Sequence, residues 1–373
     1  MSRKVICAKR SNKSSFAPFF DMTTRNAKVV SLKGPQKATQ ELPAPLQIKI
    51  YDLMVKGRVL EERLIRMGKS GLGFFWIGGP GEEAFNVPLG LLIKKGEGLD
   101  YDYLHSHYRQ SGTLLAMGVP IIDVLRQMHS TATDPYTGGR NFVNHYSIKK
   151  WNVVNTTTPI EVQYSVCIGT GVAQKRHGGE GITIVTGGDA GTAEGDFGTC
   201  LTWSSRKGNE LPILIIVTNN QWGISTTYEE VHCEKPIAAR GEAFGIRSEI
   251  INGNDPIVSY AAIEEAMSTV RKERKPFLLE ARVSRLYGHS SASGANWVSG
   301  EVDCIPEFEK QLKQKGILQD EDFKKIKEKY EQESLDSLKQ VLKEPKPDPE
   351  SIFDHVFVDG KDAQIPWPRW LKR

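Results

Sequence analysis

Long apolar runs and closely paired cysteines are absent from this 373-residue sequence. No run approaches the roughly 18 apolar residues that cross a bilayer, and the N-terminus lacks the apolar core of a secretory signal. The five cysteines are widely spaced and include no C-x-x-C pair, which is typical of reduced thiols. With 39% hydrophobic and 25% charged residues, the chain can bury a sizeable core, and we expect a soluble intracellular protein.

Acidic residues are scarce at the start of the chain, where residues 1–40 hold nine Lys and Arg but a single acid, Asp21. That segment carries +8 against a net charge of +4 for the whole chain, so the remainder carries −4. We therefore predict a basic flexible tail over residues 1–42, with a contact to an acidic partner or an organellar transit peptide as alternatives. The basic residues form no recognisable nucleic-acid-binding module, so no nucleic-acid ligand is expected.

The pattern of apolar residues predicts an α/β fold, with a parallel sheet and helices on both faces. A helix is predicted to begin the folded body near residue 45. Residues 68–90 are rich in glycine and aromatic residues, which predicts a loop that forms the wall of a site. Short β-branched runs predict buried parallel strands at residues 182–186, 213–218 and 277–283. A helix is predicted between the first two strands, at residues 197–207.

The last part of the chain is heavily charged. Apolar residues recur at helical spacing over residues 306–343, which predicts amphipathic helices, and three prolines end the pattern. We therefore predict one α/β domain over residues 43–345 and a C-terminal extension over residues 346–373.

The segment GGDAGTAEGD, residues 187–196, follows a predicted strand and precedes a predicted helix. Ligands bind beyond the carboxyl ends of parallel strands, and glycines there let backbone N–H groups approach phosphate oxygens. The N-terminus of the following helix also favours negative charge. Because Asp189 would repel a bare phosphate, its presence in this loop indicates a phosphate that is bridged by a metal cation.

The next predicted strand ends in the sequence NNQW, residues 219–222, which brings amide oxygens to the same edge of the sheet. Magnesium prefers six oxygen ligands in octahedral geometry, and Asp189 and Asn220 would supply two of them. The alternative is structural, with Asp189 capping a helix and Asn220 forming a turn. A zinc site is disfavoured, since the H-x-H pair at residues 105 and 107 lacks a third ligand of suitable spacing.

Together, the two segments resemble the thiamine diphosphate motif, which runs from Gly-Asp-Gly to Asn-Asn with a helix between. Ala190 replaces the second glycine of that motif, a change that requires only a negative φ. Over residues 45–290 the chain resembles alpha subunits of the thiamine diphosphate-dependent decarboxylating component of 2-oxo acid dehydrogenase complexes, and the branched-chain type more than the pyruvate type. The resemblance implies the thiamine diphosphate-binding fold, with thiamine diphosphate and Mg²⁺ as cofactors.

The resemblance also implies roles for individual residues. The magnesium ligands would be Asp189, the Asn220 side chain and the Trp222 carbonyl. His289, beyond the strand at residues 277–283, would contact the diphosphate and help to position the intermediate for acyl transfer, which makes it the predicted catalytic residue. The full set of implied cofactor-binding residues is Tyr108, Arg109, Ile160, Gly188, Asp189, Ala190, Gly191, Asn220, Trp222 and His289.

Three of these assignments rest on shorter matches. The guanidinium of Arg109 would bind the diphosphate as a fork, with Tyr108 lining the cofactor. An ordinary surface salt bridge is the alternative for Arg109. Ile160 would lie beneath the cofactor. Val162 stands where a potassium-binding threonine is expected, which disfavours a potassium site at residues 157–163.

In this family a separate beta subunit supplies the glutamate that activates the cofactor. The resemblance therefore implies a heterotetramer of two alpha and two beta chains, with a lipoylated acyltransferase core and a small 2-oxo acid as further partners, and no membrane. The implied function is oxidative decarboxylation of a branched-chain 2-oxo acid with acyl transfer to lipoyl-lysine. We expect the protein in the bacterial cytoplasm, or in the mitochondrial matrix if residues 1–40 are a transit peptide.

Other functions remain as alternatives. A pyruvate or acetoin dehydrogenase alpha subunit is the nearest of them, and a non-catalytic cofactor-binding subunit belongs to a different class. A nucleotide-binding oxidoreductase is disfavoured because residues 187–195 do not fit G-x-G-x-x-G.

Overall fold

The structure is a computed structural model that describes residues 41–234 and 236–354. The α-helices are α1 Ala44–Lys69, α2 Glu83–Leu92, α3 Ser111–Met117, α4 Ile121–His129, α5 Val162–Arg176, α6 Gly195–Ser204, α7 Tyr228–Val231, α8 Ala239–Ala243, α9 Pro256–Glu273, α10 Cys304–Gln314 and α11 Asp320–Val341. The strands are β1 Tyr103–His105, β2 Val153–Val154, β3 Thr183–Gly188, β4 Ile213–Asn219, β5 Arg247–Asn252 and β6 Phe277–Arg282. Within the described ranges, no helix is long and apolar enough to cross a membrane.

The strands form one six-stranded sheet in the order β2-β1-β3-β4-β6-β5, and every neighbouring pair is parallel. The predicted parallel sheet is therefore confirmed, and β3, β4 and β6 lie within two residues of their predicted positions. Strands β1, β2 and β5 were not predicted. Strands β1 and β2 are only three and two residues long, and β5 lies at the sheet edge with half-exposed residues. None of the three strands therefore carries a strong apolar pattern.

Apolar side chains on both faces of the sheet explain why the helices lie on both sides. In β4, Ile213 and Val217 pack into a core cluster with residues of α5 and α6. Leu214 and Ile216, between them, face the larger core cluster, to which α1, α2 and α9 contribute. A strand that is buried on both faces has no polar side, and β4 is apolar from Ile213 through Val217.

The glycine-rich segment is partly helical, which corrects the prediction of a loop over residues 68–90. Helix α2 begins at Glu83, whose carboxylate is held by Arg58, with 2.7 Å between Nε and Oε1. The same guanidinium donates to Asp303 at 2.8 Å, so one arginine joins α1, α2 and the start of α10. The loop before α2 is thereby fixed in place.

The terminal predictions are only partly covered by the structure. Helix α1 begins one residue before the predicted start, and α10 and α11 confirm the amphipathic helices. Most of the predicted basic tail (residues 1–42) and of the predicted C-terminal extension (residues 346–373) lies outside the described residues. The division at residues 43 and 345 therefore stays a prediction.

His105, at the end of β1, should make stability depend on pH. Burial lowers the pKa of His105 to about 3, against 6.5 for the ordinary side chain, and its Nε2 lies 2.9 Å from Thr170 Oγ1. The unfolded chain takes up a proton that the folded chain excludes, so this stability is fully present above pH 6.5 and is lost as the pH falls. Between pH 7 and pH 5 the loss is about 2 kcal/mol.

We therefore expect urea unfolding of His105→Gln to weaken less between pH 7 and pH 5 than that of the unsubstituted chain. The matched control is His177→Gln, which replaces an exposed histidine just after α5. An equal pH slope for His105→Gln and the unsubstituted chain would contradict this account.

Candidate active site

Polar residues follow four neighbouring strands at one edge of the sheet. Arg109 lies beyond β1, Asp189 follows β3, Asn220 follows β4 and His289 lies beyond β6. The register pairs Gly188 of β3 with Thr218 of β4, so the loops that carry Asp189 and Asn220 leave the sheet side by side. The carboxyl edge of a parallel sheet is where α/β proteins bind ligands, and these residues lie there as predicted.

Asp189 is nearly fully buried, with 2% of its surface exposed. Its Oδ2 has no hydrogen-bond partner in the described part of the chain, and its side chain caps no helix. Burial raises the pKa of Asp189 to about 6, while the backbone of Asn220 and the charge of Arg285 act in the opposite direction. The helix-capping interpretation is therefore wrong, and a buried carboxylate oxygen is left available to a ligand.

Asn220 is also buried, at 5% exposed. Its Oδ1 accepts a hydrogen bond from the Trp222 N–H at 3.2 Å, so the side chain does form a turn. The neighbouring Asn219 side chain points elsewhere and donates to Glu280 at 2.7 Å. The turn fixes the Asn220 amide oxygen, which keeps a second lone pair for a cation.

The side chains of Arg109 and His289 meet although 180 residues separate them. Arg109 Nη2 lies 3.1 Å from His289 Nδ1, and Arg109 Nη1 donates to the Gly78 carbonyl. Because arginine only donates, His289 Nδ1 accepts and Nε2 carries the proton. Burial, followed by the charges of Arg109 and Arg285, lowers the pKa of His289 to about 3, so the imidazole is neutral. Arg109 is 3% exposed, which rules out the surface salt bridge.

The other predicted residues are less tightly connected. Tyr108 is buried, with the Arg109 guanidinium 5.1 Å from its ring centre. Ala190 has no positive φ and begins a turn of 3-10 helix, as the alanine requires. Ile160 is 46% exposed. Trp222 is linked to the site by its N–H, which donates to Asn220, and the Arg285 guanidinium lies 6.0 Å from its ring.

Several site residues escaped sequence reasoning. Glu82 is buried, and burial raises its pKa to about 7, partly offset by the positive charge of Arg109. Burial likewise raises the pKa of Glu161 to about 8. Glu82 could have been found, because it lies in the segment predicted to form a site wall. Glu161 gives no such signal, since only the fold brings it under the loop that carries Asp189.

A histidine and an arginine complete the surroundings of Asp189. His232 is buried, and its Nε2 donates to the Asp189 carbonyl at 3.0 Å. Arg285 donates to the Gly223 carbonyl at 2.8 Å. These contacts fix the backbone on both sides of the metal-ligand candidates. Neither residue stands out in the sequence, because the partners are backbone carbonyls.

Unpartnered polar atoms collect at this edge. Both carboxylate oxygens of Glu82, Nδ1 of His107, Oδ2 of Asp189 and Nε of Arg285 are buried without a hydrogen-bond partner in the described ranges. An unsatisfied buried polar group costs free energy, so such a concentration requires an explanation. A polar ligand that pairs with these atoms provides one. Fold and site are thus those of an α/β protein with a group of polar residues at the carboxyl edge of its sheet, where such proteins bind ligands.

Comparison with known proteins identifies the family. The sequence model of the family "Dehydrogenase E1 component" matches residues 51–350, and the chain therefore belongs to that family. The resemblance to alpha subunits of 2-oxo acid dehydrogenases is confirmed, and the chain is an enzyme subunit of the thiamine diphosphate-dependent class.

Three relatives illustrate the likeness. The 2-oxoisovalerate dehydrogenase subunit alpha of Bacillus subtilis (strain 168) is 28% identical over 328 residues, which cover 83% of this chain and 95% of the relative. The mitochondrial subunit alpha 2 of Arabidopsis thaliana is 27% identical over 319 residues, covering 83% of this chain and 66% of the relative. The mitochondrial subunit alpha of Mus musculus is 26% identical over 358 residues, with coverage of 93% and 78%.

Proposed function

We propose that the chain is the alpha subunit of an enzyme that oxidatively decarboxylates a branched-chain 2-oxo acid and passes the acyl group to lipoyl-lysine of an acyltransferase core. The observation that carries this proposal is the buried Asp189 carboxylate with an unpartnered oxygen, beside Asn220 at the sheet edge. The names of the relatives support the choice of substrate, because all three act on 2-oxoisovalerate by name.

The residues present fit a magnesium ion bound to a diphosphate. Asp189 and Asn220 would supply hard oxygen ligands, the Trp222 carbonyl would supply a third, and the diphosphate and water would complete the shell. Arg109 would bind the diphosphate from the other side, with Tyr108 against the cofactor. Gly188, Ala190 and Gly191 would place backbone close to the phosphate oxygens.

Thiamine diphosphate would supply the reactive carbon and accept the electron pair that is left behind when carbon dioxide departs. This chain contributes binding and orientation. His289 is held by Arg109 through Nδ1, and its Nε2–H is therefore the hydrogen-bond donor that can orient the reacting groups. Burial and the charges of Arg109 and Arg285 keep the imidazole neutral, so Nδ1 stays the acceptor and Nε2 the donor.

The proposed assembly contains two alpha and two beta chains, since the glutamate that activates the cofactor is expected on the beta subunit. We place the complex in the bacterial cytoplasm, or in the mitochondrial matrix if residues 1–40 act as a transit peptide. Purified alone, the alpha chain should not decarboxylate 2-oxo acids. Robust decarboxylation without a second chain would contradict the proposed division of labour.

Steady-state rates on the assembled complex test the substrate. We expect kcat/KM for 3-methyl-2-oxobutanoate to exceed that for pyruvate by about tenfold or more, because each extra methylene in an apolar pocket contributes about 1–3 kcal/mol. Higher kcat/KM for pyruvate would favour the pyruvate dehydrogenase alternative. Absence of magnesium-dependent cofactor binding would favour a non-catalytic subunit.

A further inference from the structure

Glu161 has an unusual backbone for a residue with a long side chain. It lies just before α5 with φ +66° and ψ 2°, in the left-handed region that favours glycine. The residue is also 1% exposed. A strained backbone and a buried carboxyl group are both unfavourable by themselves, so the surroundings must stabilise this arrangement.

Its carboxyl group lies directly beneath the loop that carries Asp189. Oε1 accepts a hydrogen bond from the Gly188 N–H at 3.3 Å. A Cβ atom added at Gly187 would overlap Oε2, and one added at Gly191 would overlap Oε1. The two oxygens therefore contact the loop before and after Asp189, at positions where only glycine leaves room.

The side chain of Gln163 also contacts the Glu161 carboxyl group. Gln163 Nε2 lies 3.4 Å from Glu161 Oε2 and donates to the Thr186 carbonyl at 3.0 Å. Thr186 belongs to β3, so Gln163 ties the Glu161 carboxyl group to the strand from which the loop emerges. The arrangement forms a bridge from the start of α5, through one buried carboxyl group, to the backbone of residues 186–191.

Electrostatics does not explain why an acid stands here. Asp189, Glu194 and Asp196 all lie near enough to disfavour a further negative charge at Glu161. The position of this carboxyl group is therefore explained by its shape and its hydrogen bonds rather than by electrostatic attraction.

We propose that Glu161 is a positioning residue that holds residues 187–191 in the conformation in which Asp189 faces the magnesium-diphosphate group. This inference rests on the proposed function, since it assigns Glu161 a role toward that same group. Glu161 itself contacts neither metal nor cofactor. It acts through the backbone on both sides of Asp189.

The test is magnesium-dependent binding of thiamine diphosphate to the chain assembled with its beta subunit. Binding is measured by calorimetry and by tryptophan fluorescence. Glu161→Ala should weaken cofactor binding by about 10- to 100-fold, the range found when residues that orient metal ligands are removed. Glu161→Gln keeps the shape and an acceptor for the Gly188 N–H, and should restore binding to within about threefold of the unsubstituted protein. Glu194→Ala, which removes an exposed acid from the same loop, is the matched control and should change nothing.

Kinetics separates positioning from a general loss of structure. Glu161→Ala should raise the KM for thiamine diphosphate while kcat at saturating cofactor stays near that of the unsubstituted enzyme. A second pair of variants uses the close approach at Gly191. Gly191→Ala should weaken binding strongly when Glu161 is present and less when Glu161→Ala has made room, so the two changes should not be additive.

The outcomes distinguish this inference from the proposed function. If Glu161→Ala binds the cofactor as tightly as the unsubstituted protein while Asp189→Ala does not, the role of Glu161 is overturned and the proposed function stands. If the unsubstituted complex shows no magnesium-dependent binding, the proposed function fails. If Glu161→Ala does not assemble, Glu161→Gln carries the test. Because glutamine keeps the shape and the acceptor, cofactor binding by Glu161→Gln as weak as that of Asp189→Ala would contradict the inference.

Discussion

Replacing Asp189 with alanine should lower the rate of 2-oxo acid decarboxylation by the assembled enzyme by on the order of 1000-fold, because a metal clamp contributes several kcal/mol. The substitution removes the carboxylate whose Oδ2 is buried and unpartnered. Magnesium-dependent binding of thiamine diphosphate should disappear with it. Calorimetric titration of the cofactor at fixed magnesium, beside steady-state rates, measures both effects.

The matched control is Glu194→Ala, since Glu194 is an exposed acid five residues further along the same loop. It should bind the cofactor as the unsubstituted enzyme does. Asp189→Asn keeps one oxygen ligand without the charge and should fall between the two. Tight magnesium-dependent binding by Asp189→Ala would show that the metal lies elsewhere.

Replacing Arg109 with alanine should weaken cofactor binding by about 30- to 4000-fold, since truncating one member of a buried charge pair costs about 2–5 kcal/mol. The effect has two sources. The guanidinium is the buried cation nearest to His289, and it also holds the imidazole through Nδ1. Loss of Arg109 therefore removes a diphosphate contact and frees His289 to change tautomer.

Arg109→Lys separates these two contributions. Lysine keeps the positive charge but loses the fork, so it should recover part of the binding while kcat stays low because His289 is no longer held. The measurements are the cofactor dissociation constant and kcat at saturating cofactor. Equal recovery of both by Arg109→Lys would show that only charge matters at this position.

Buried strands with continuous apolar runs were predictable from sequence, and the edge strands were not. The β-branched run from Ile213 through Val217 is typical of a strand that is covered on both faces. Strand β2, by contrast, has two residues and is defined only by its partner β1. Pairing of this kind depends on the whole sheet, which no local pattern encodes.

The same distinction, between features with a local sequence pattern and features that depend on the whole fold, applies to the site residues. Asp189 and Asn220 lie in loops whose sequences carry a motif, and the structure places them side by side. Glu161 was invisible to that reasoning because its partners are backbone atoms of residues 187–191, contacted through a fold that closes between them. A motif identifies the residues that contact a ligand. Residues that only hold those contacts in place form no recognisable pattern in the sequence.

The contact between Arg109 and His289 spans 180 residues of chain, and both depend on strands β1 and β6, which are separated by β3 and β4. Such a site cannot exist until the central strands have paired in order, and long-range parallel pairing is slow. Thiamine diphosphate therefore cannot template the early stages of folding. Uptake of the cofactor would instead mark the end of folding. The moment at which cofactor binding appears during refolding would therefore report when the last central strand is inserted.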